Sequence, residues 1–185
     1  MSSNGNGKRS DFYRKRAIEI ADFFTATKTI KDNPYVQRTI KDVHQIVDVI
    51  LSELPLCKLY GDKKGIGKKY KQVDYVSEAA LEWINNRKPG EKNQLIYEHL
   101  VPKKNHLFKD LQELVEKMSD NLEDEIFNLL DKYYFVAAIT KEENETKLAG
   151  HLKDNMPKNW DKKDALARYT DAGIKIIKTQ LFEEE

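Results

Sequence analysis

The sequence predicts a mainly α chain: a single helical domain carrying a minor two- or three-stranded β element in its C-terminal half. Three observations lead there. Apolar residues recur at spacings of three and four in most segments long enough to show a period. Capping and turn residues fall where those segments would begin and end. Only Tyr134–Ile139 is short, β-rich and unbroken by charge, as a buried strand should be.

A chain of 185 residues suits one domain with one sizeable core. Lys+Arg (32) and Asp+Glu (31) nearly cancel, and the formal net charge is +1. No global field therefore draws in nucleic acid or a membrane, and an electrostatic partner must be met by a local patch. No apolar run approaches the ~20 residues of a membrane-spanning helix, so no membrane partner is expected. The lone Cys57 rules out an internal disulfide and fits a cytoplasmic setting; its apolar neighbours in Leu54-Pro55-Leu56 suit a buried, inert thiol.

In chain order, residues 1–9 are polar and rich in Gly, Asn and Ser, and read as a disordered tail before a domain over 10–182. Ser10-Asp11 offers an N-cap for a helix to about Phe24, with Phe12, Ala17, Ile20, Ala21 and Phe24 inward and Arg14, Lys15 and Arg16 facing water. Pro34 opens a second helix, where its missing N–H costs nothing. Val36, Ile40, Val43, Val47, Ile50, Leu51 and Leu54 then give the strongest period in the chain. That 36–54 stripe is a core face or the seam of a homo-oligomer, with His44 at its boundary. Helical patterning resumes over Tyr75–Ile84 and stops in the turn 85–90. A helix after Pro102 carries Leu107, Leu111, Leu114, Val115 and Met118 inward. The next, from Asn121 to about Tyr133, carries Leu122, Ile126, Leu129 and Leu130. After the 134–139 strand, Thr140 and Glu143 have the spacing of a capping box. A last helix, from about Lys162 to Asp171, ends at Gly173, and Ile174–Ile177 would pair with the 134–139 strand. Trp83 and Trp160 read as core or boundary residues. Arg168-Tyr169 would meet either an anion or one of the many acids.

Two features carry chemistry. The first is a mobile basic loop over 58–74, in which Lys58, Lys63, Lys64, Lys68, Lys69 and Lys71 alternate with Tyr60 and Tyr70. Lysines neutralise phosphates and tyrosine rings stack on bases, so Lys63, Lys64, Lys68, Lys69, Tyr70 and Lys71 are the candidate contacts to DNA or RNA. The plainer alternative is a solvated linker. It is not a phosphate-binding P-loop. Five residues separate Gly61 from Gly67 where that motif has four, and Lys69 stands where it has a hydroxyl.

The second is Glu98-His99, an adjacent carboxylate and imidazole inside Leu95-Ile96-Tyr97-Glu98-His99-Leu100-Val101-Pro102. His99 is a general base or metal ligand with Glu98 orienting it, or the pair is structural, or it lies idle on the surface. The segment resembles the Asp-His-Ile/Val-x-Pro stretch of the HNH (ββα-metal) nucleases over about eight residues. The resemblance implies a bacterial or phage metal-dependent phosphodiesterase with His99 activating water and Glu98 helping to hold Mg²⁺ or another divalent ion. His106 would be a further metal ligand, while Asn105 comes too soon for the family's central Asn. No organic cofactor is implied. The function expected is thus nucleic-acid association, with nuclease chemistry at Glu98 and His99. The alternative is a non-catalytic helical module that binds nucleic acid or a protein partner.

Overall fold

The computed structural model describes residues 4–28, 73–88 and 90–178. The 36–54 helix, His44, Cys57 and residues 58–72 of the basic loop, including Lys63, Lys64, Lys68, Lys69, Tyr70 and Lys71, lie outside the described residues. Of those described, 57% are helical, and four short strands form one mixed sheet. The fold is mainly α with a minor β element.

The chain packs as two compact units, Met1–Leu54 with Lys103–Tyr133, and Pro55–Pro102 with Tyr134–Glu185. Length alone suggests one domain over 10–182; it bounds the size of a core and does not say which stretches pack together.

The described part of the first unit is helical. Helix α1 (Asn4–Lys28) starts inside the stretch read as a disordered tail. Gly5 and Gly7 are poor helix formers, so propensity gives no account of that early start. Its buried stripe is Tyr13, Ala17, Ile20, Ala21 and Phe24; Tyr13 takes the place expected of Phe12. Arg14 and Arg16 do not simply face water. Arg14 lies 3.8 Å above the Phe127 ring and pairs with Glu123 and Asp124, while Arg16 pairs with Glu19 one turn on.

A π-helical turn (Lys103–Leu107) leads into α3 (Phe108–Lys117), and α4 (Leu122–Tyr133) follows. In α3, Phe108, Leu111 and Val115 are buried; Leu114 is half-buried. The helix stops at Met118, whose φ of 47° turns its N–H back onto the Leu114 carbonyl at 3.1 Å. In α4, Leu122, Ile126, Leu129, Leu130 and Tyr133 are buried, the four aliphatics as the periodicity required.

The second unit holds the sheet, in the order β2-β3-β1-β4, with β1 Tyr75–Ser77, β2 Leu95–His99, β3 Val136–Thr140 and β4 Ile176–Lys178. Strands β1 and β3 run parallel; the other pairs are antiparallel. Helix α2 (Glu78–Asn86) begins three residues later than its pattern suggested. Tyr75–Ser77 is strand because the Ser77 hydroxyl accepts the Ala80 N–H at 3.0 Å, which fixes the helix start there. Ile174–Ile177 does not pair with β3, whose two edges β2 and β1 occupy. Instead β4 lies against β1, Ile177 opposite Val76.

Both faces of β3 are buried, so its unbroken apolar run reads as it should for a central strand. On one face Ala137 and Ile139 pack with Leu100, Leu148, Tyr169 and Ile174. Leu148 follows a π-helical turn (Glu143–Lys147), and Tyr169 lies in α6 (Ala167–Asp171). Between them stands a single helical turn, α5 (His151–Asp154). The α6 helix is shorter than its pattern, and Asp164 holds residues 164–167 in a local turn. It ends as expected at Gly173 (φ +64°), with Ile174 N–H returning to the Tyr169 carbonyl at 2.8 Å.

Candidate functional site

Strand alternation sends Ile96 and Glu98 to one face of β2 and Tyr97 and His99 to the other. Pairing with β3 fixes the backbone as well. Lys141 N–H donates to the Gln94 carbonyl at 2.7 Å and Leu100 N–H to the Phe135 carbonyl at 2.9 Å. Even-numbered residues thus bond toward β3, and the His99 carbonyl points away from it.

Arg168 takes up that carbonyl. Its side chain is 1% exposed, and its Nη2 donates to the Glu98 carboxylate at 2.9 Å, to His99 O at 2.5 Å and to the Tyr169 hydroxyl at 3.1 Å. Nε donates to Leu100 O at 3.0 Å, and Nη1 to Leu152 O at 3.2 Å and Lys153 O at 3.1 Å. Every nitrogen of the guanidinium is engaged, by four carbonyls, a phenol and a carboxylate. The cation thereby ties the end of β2 to the last carbonyls of α5, and Glu98 supplies its counter-charge. Of the two readings of Arg168-Tyr169, the structure has the salt bridge to an acid.

Tyr169 is fully buried, and that burial pushes its phenol up to about 12. Arg168 lowers it in part, while Glu98 and Glu143 raise it further. The group stays neutral through any physiological pH.

His99, on the opposite face, is half-buried between Tyr97 and Tyr134, its ring edge-on to both at 5.8 and 5.3 Å. It is neither idle on the surface nor sealed in the core.

A second polar cluster joins the ends of the parallel strands. The expected capping box is present: Glu143 N–H donates to the Thr140 hydroxyl at 3.1 Å, and Thr140 N–H donates to the Glu143 carboxylate at 2.9 Å. Ser77, across from β3 on β1, donates its hydroxyl to the same carboxylate oxygen at 2.6 Å. A serine this close to a carboxylate has the geometry of a nucleophile and base, but Ser77 is fully buried and caps α2. The cluster locks two strand-to-helix junctions together.

His106 lies in the π-helical turn of the first unit, and Glu98 and His99 lie in the second; neither unit by itself assembles the three. Among the described residues no group of three or more His, Cys, Asp or Glu could hold a metal ion. A divalent cation at Glu98 would have to share the carboxylate with Arg168, whose Nη2 lies 2.9 Å from it. The Glu98 carboxylate is thus already committed to a cation of the protein itself. After Pro102 the chain turns into helix, so β2 is not the first arm of a local hairpin; its partner is β3. Among the described residues no helix is long and apolar enough to cross a membrane.

No family model, curated protein or solved structure matches this chain. The site rests on its own geometry.

Sequence reasoning named both Glu98 and Arg168 without joining them. Nothing in the pattern links residues seventy positions apart, and only the pairing of β2 with β3 and the return of α6 bring them together. The link from Ser77 to Glu143 was hidden in the same way.

Proposed function

We propose that the protein is a non-catalytic nucleic-acid-binding module of the cytoplasm, working through its 58–71 lysines and tyrosines. One observation carries the choice of binding over catalysis: the Glu98 carboxylate is already the counter-ion of a buried arginine. A carboxylate so committed is a poor metal ligand, and the His99 ring lies edge-on to Tyr97 and Tyr134. Nucleic acid is the partner because six lysines and two tyrosines share the segment 58–71, and lysine suits backbone contact better than base reading.

The test is fluorescence anisotropy with labelled DNA and RNA oligomers across a salt series, on the parent and on a variant with Lys63, Lys64, Lys68 and Lys69 all changed to Ala. The parent should bind at low salt. The variant should bind more weakly to every sequence, its log–log salt slope reduced by roughly 0.7–0.9 for each phosphate no longer neutralised. His99→Ala should leave affinity unchanged. Equal binding by parent and lysine variant refutes the role of the loop. Plasmid nicking by the parent with Mg²⁺ or Mn²⁺, abolished by His99→Ala, overturns the non-catalytic reading in favour of a phosphodiesterase.

A further inference from the structure

The sheet β2-β3-β1-β4 has two edges, and the chain treats them differently. Along β2, side chains take up outward backbone groups. Asn93 Oδ1 accepts the Leu95 N–H at 3.1 Å, Asn93 Nδ2 donates to Leu95 O at 3.4 Å, and Arg168 holds His99 O. Cover of this kind keeps an edge from pairing with another chain. Among the described residues β4 has none. Glu78 N–H donates to the Lys175 carbonyl at 3.0 Å, so the odd-numbered residues of this segment bond toward β1. Ile176 and Lys178 therefore turn their backbone groups outward, and no described residue takes them up.

The side chains of this edge are open as well. Ile177, in the middle of the strand, is 39% exposed, and among the described residues only Ile18 is a comparably exposed large hydrophobic. Lys178 is exposed, while Ile176 is half-buried against the core on the other face. The pattern of the strand is complementary to itself. An antiparallel mate centred on Ile177 brings that residue against its own copy, in a non-hydrogen-bonded pair whose Cα atoms stand about 4.5 Å apart. On the other face Ile176 meets Lys178 of the second copy, whose stem can cover it, and the two exchange both backbone groups. Lys175 keeps Glu78 as its partner, at 3.2 Å. A slip of two residues sets either Lys178 against Lys178 or Ile177 against Lys175, so the centred register is the favoured one.

We propose that the β4 edge is a self-association surface, on which a second copy of this chain pairs antiparallel about a two-fold axis at Ile177, making one sheet continuous through both copies. A two-fold contact needs only one patch that complements itself. It is separate from any seam along residues 36–54. The contact is small: three-residue strands bury well under the roughly 1,200 Å² of a standard interface, so the dimer is weak and its population rises with concentration.

Sedimentation equilibrium of the full chain, freed of nucleic acid, over about 10 µM to 1 mM reads this directly. The mass should climb from the 21.6 kDa of one chain toward twice that. Lys178→Pro removes an N–H that the monomer does not use, at an edge position that tolerates proline, and Ile177→Lys sets two cations on the axis. Both should stay at the monomer mass throughout, with circular dichroism unchanged. In a Cys57→Ser background, Ile177→Cys should form a disulfide dimer under mild oxidation, since the centred pair lies within disulfide reach. Glu82→Cys, exposed on α2, should not. A parent that stays monomeric at every concentration overturns the proposal. So does association undiminished in both Lys178→Pro and Ile177→Lys, which would put the contact elsewhere. So does Ile177→Cys cross-linking no more readily than Glu82→Cys, a comparison that needs neither of the other variants to fold.

Discussion

Glu98→Gln is the sharpest test of how this site is made. The amide keeps an oxygen where Nη2 donates, so the hydrogen bond survives in outline and the charge alone is removed. Arg168 is then a cation 1% exposed, with carbonyls and a phenol around it and no anion among its bonding partners. Breaking a buried pair from one side costs about 3–5 kcal/mol, because an uncompensated charge is left behind. Glu98 keeps 27% of its side chain exposed, so part of its charge already leans on water, and the lower end of that range is the one to expect. Against an ordinary stability of about 5–15 kcal/mol this is a large loss. Urea unfolding followed by circular dichroism reads it as a lower midpoint at unchanged slope. Arg168→Met removes the cation and its carbonyl bonds. The double variant with Glu98→Gln should be less destabilised than the sum of the singles, with a coupling of about 1–3 kcal/mol. A loss below about 1 kcal/mol in Glu98→Gln refutes the reasoning. Arg168 would then be held by carbonyls alone, and Glu98 would be available for other chemistry.

Tyr169 makes stability fall at high pH. The folded phenol holds its proton to about 12 against an ordinary value of 10.0, so between those values the unfolded chain binds fewer protons and stability drops with rising pH, by roughly 3 kcal/mol at most; Tyr169→Phe should remove that slope from a series of urea midpoints. Trp83 Nε1 is buried without a hydrogen-bond partner, so Trp83→Phe discards an orphan donor worth about 1–3 kcal/mol against a modest loss of ring area. Its urea midpoint should stay within about 1 kcal/mol of the parent, and a fall beyond 2 would show that the indole is satisfied in solution. Ser77→Ala removes the cap of α2 and one of three bonds to Glu143, and should cost about 1–2 kcal/mol by the same measurement.

What could be read from the sequence was what local physics decides. The α4 stripe, the Thr140–Glu143 capping box and the left-handed stop at Gly173 each depend on residues within a turn or two of one another, and each is where the pattern put it. The expectations that failed depended on partners. Tyr75–Ser77 has helical neighbours in sequence, but the parallel pairing with β3 and the antiparallel pairing with β4 outweigh that local preference. Ile174–Ile177 was a strand without an address: β3 was the visible mate, and β2 and β1 had already filled both its edges.

The same distinction governs where the two side chains of Glu98-His99 point. As a dipeptide it offers an acid and a base side by side, and a short motif asks for no more. In a strand, neighbours in sequence face opposite ways, so the pair is divided by the sheet that carries it. Glu98 turns to a face where α6 brings a buried guanidinium, and His99 to a face where it meets Tyr97 and Tyr134. The strand that makes the motif conspicuous in the sequence is therefore what separates its two members in space, and Arg168, an ordinary residue by pattern, is what gives Glu98 its role.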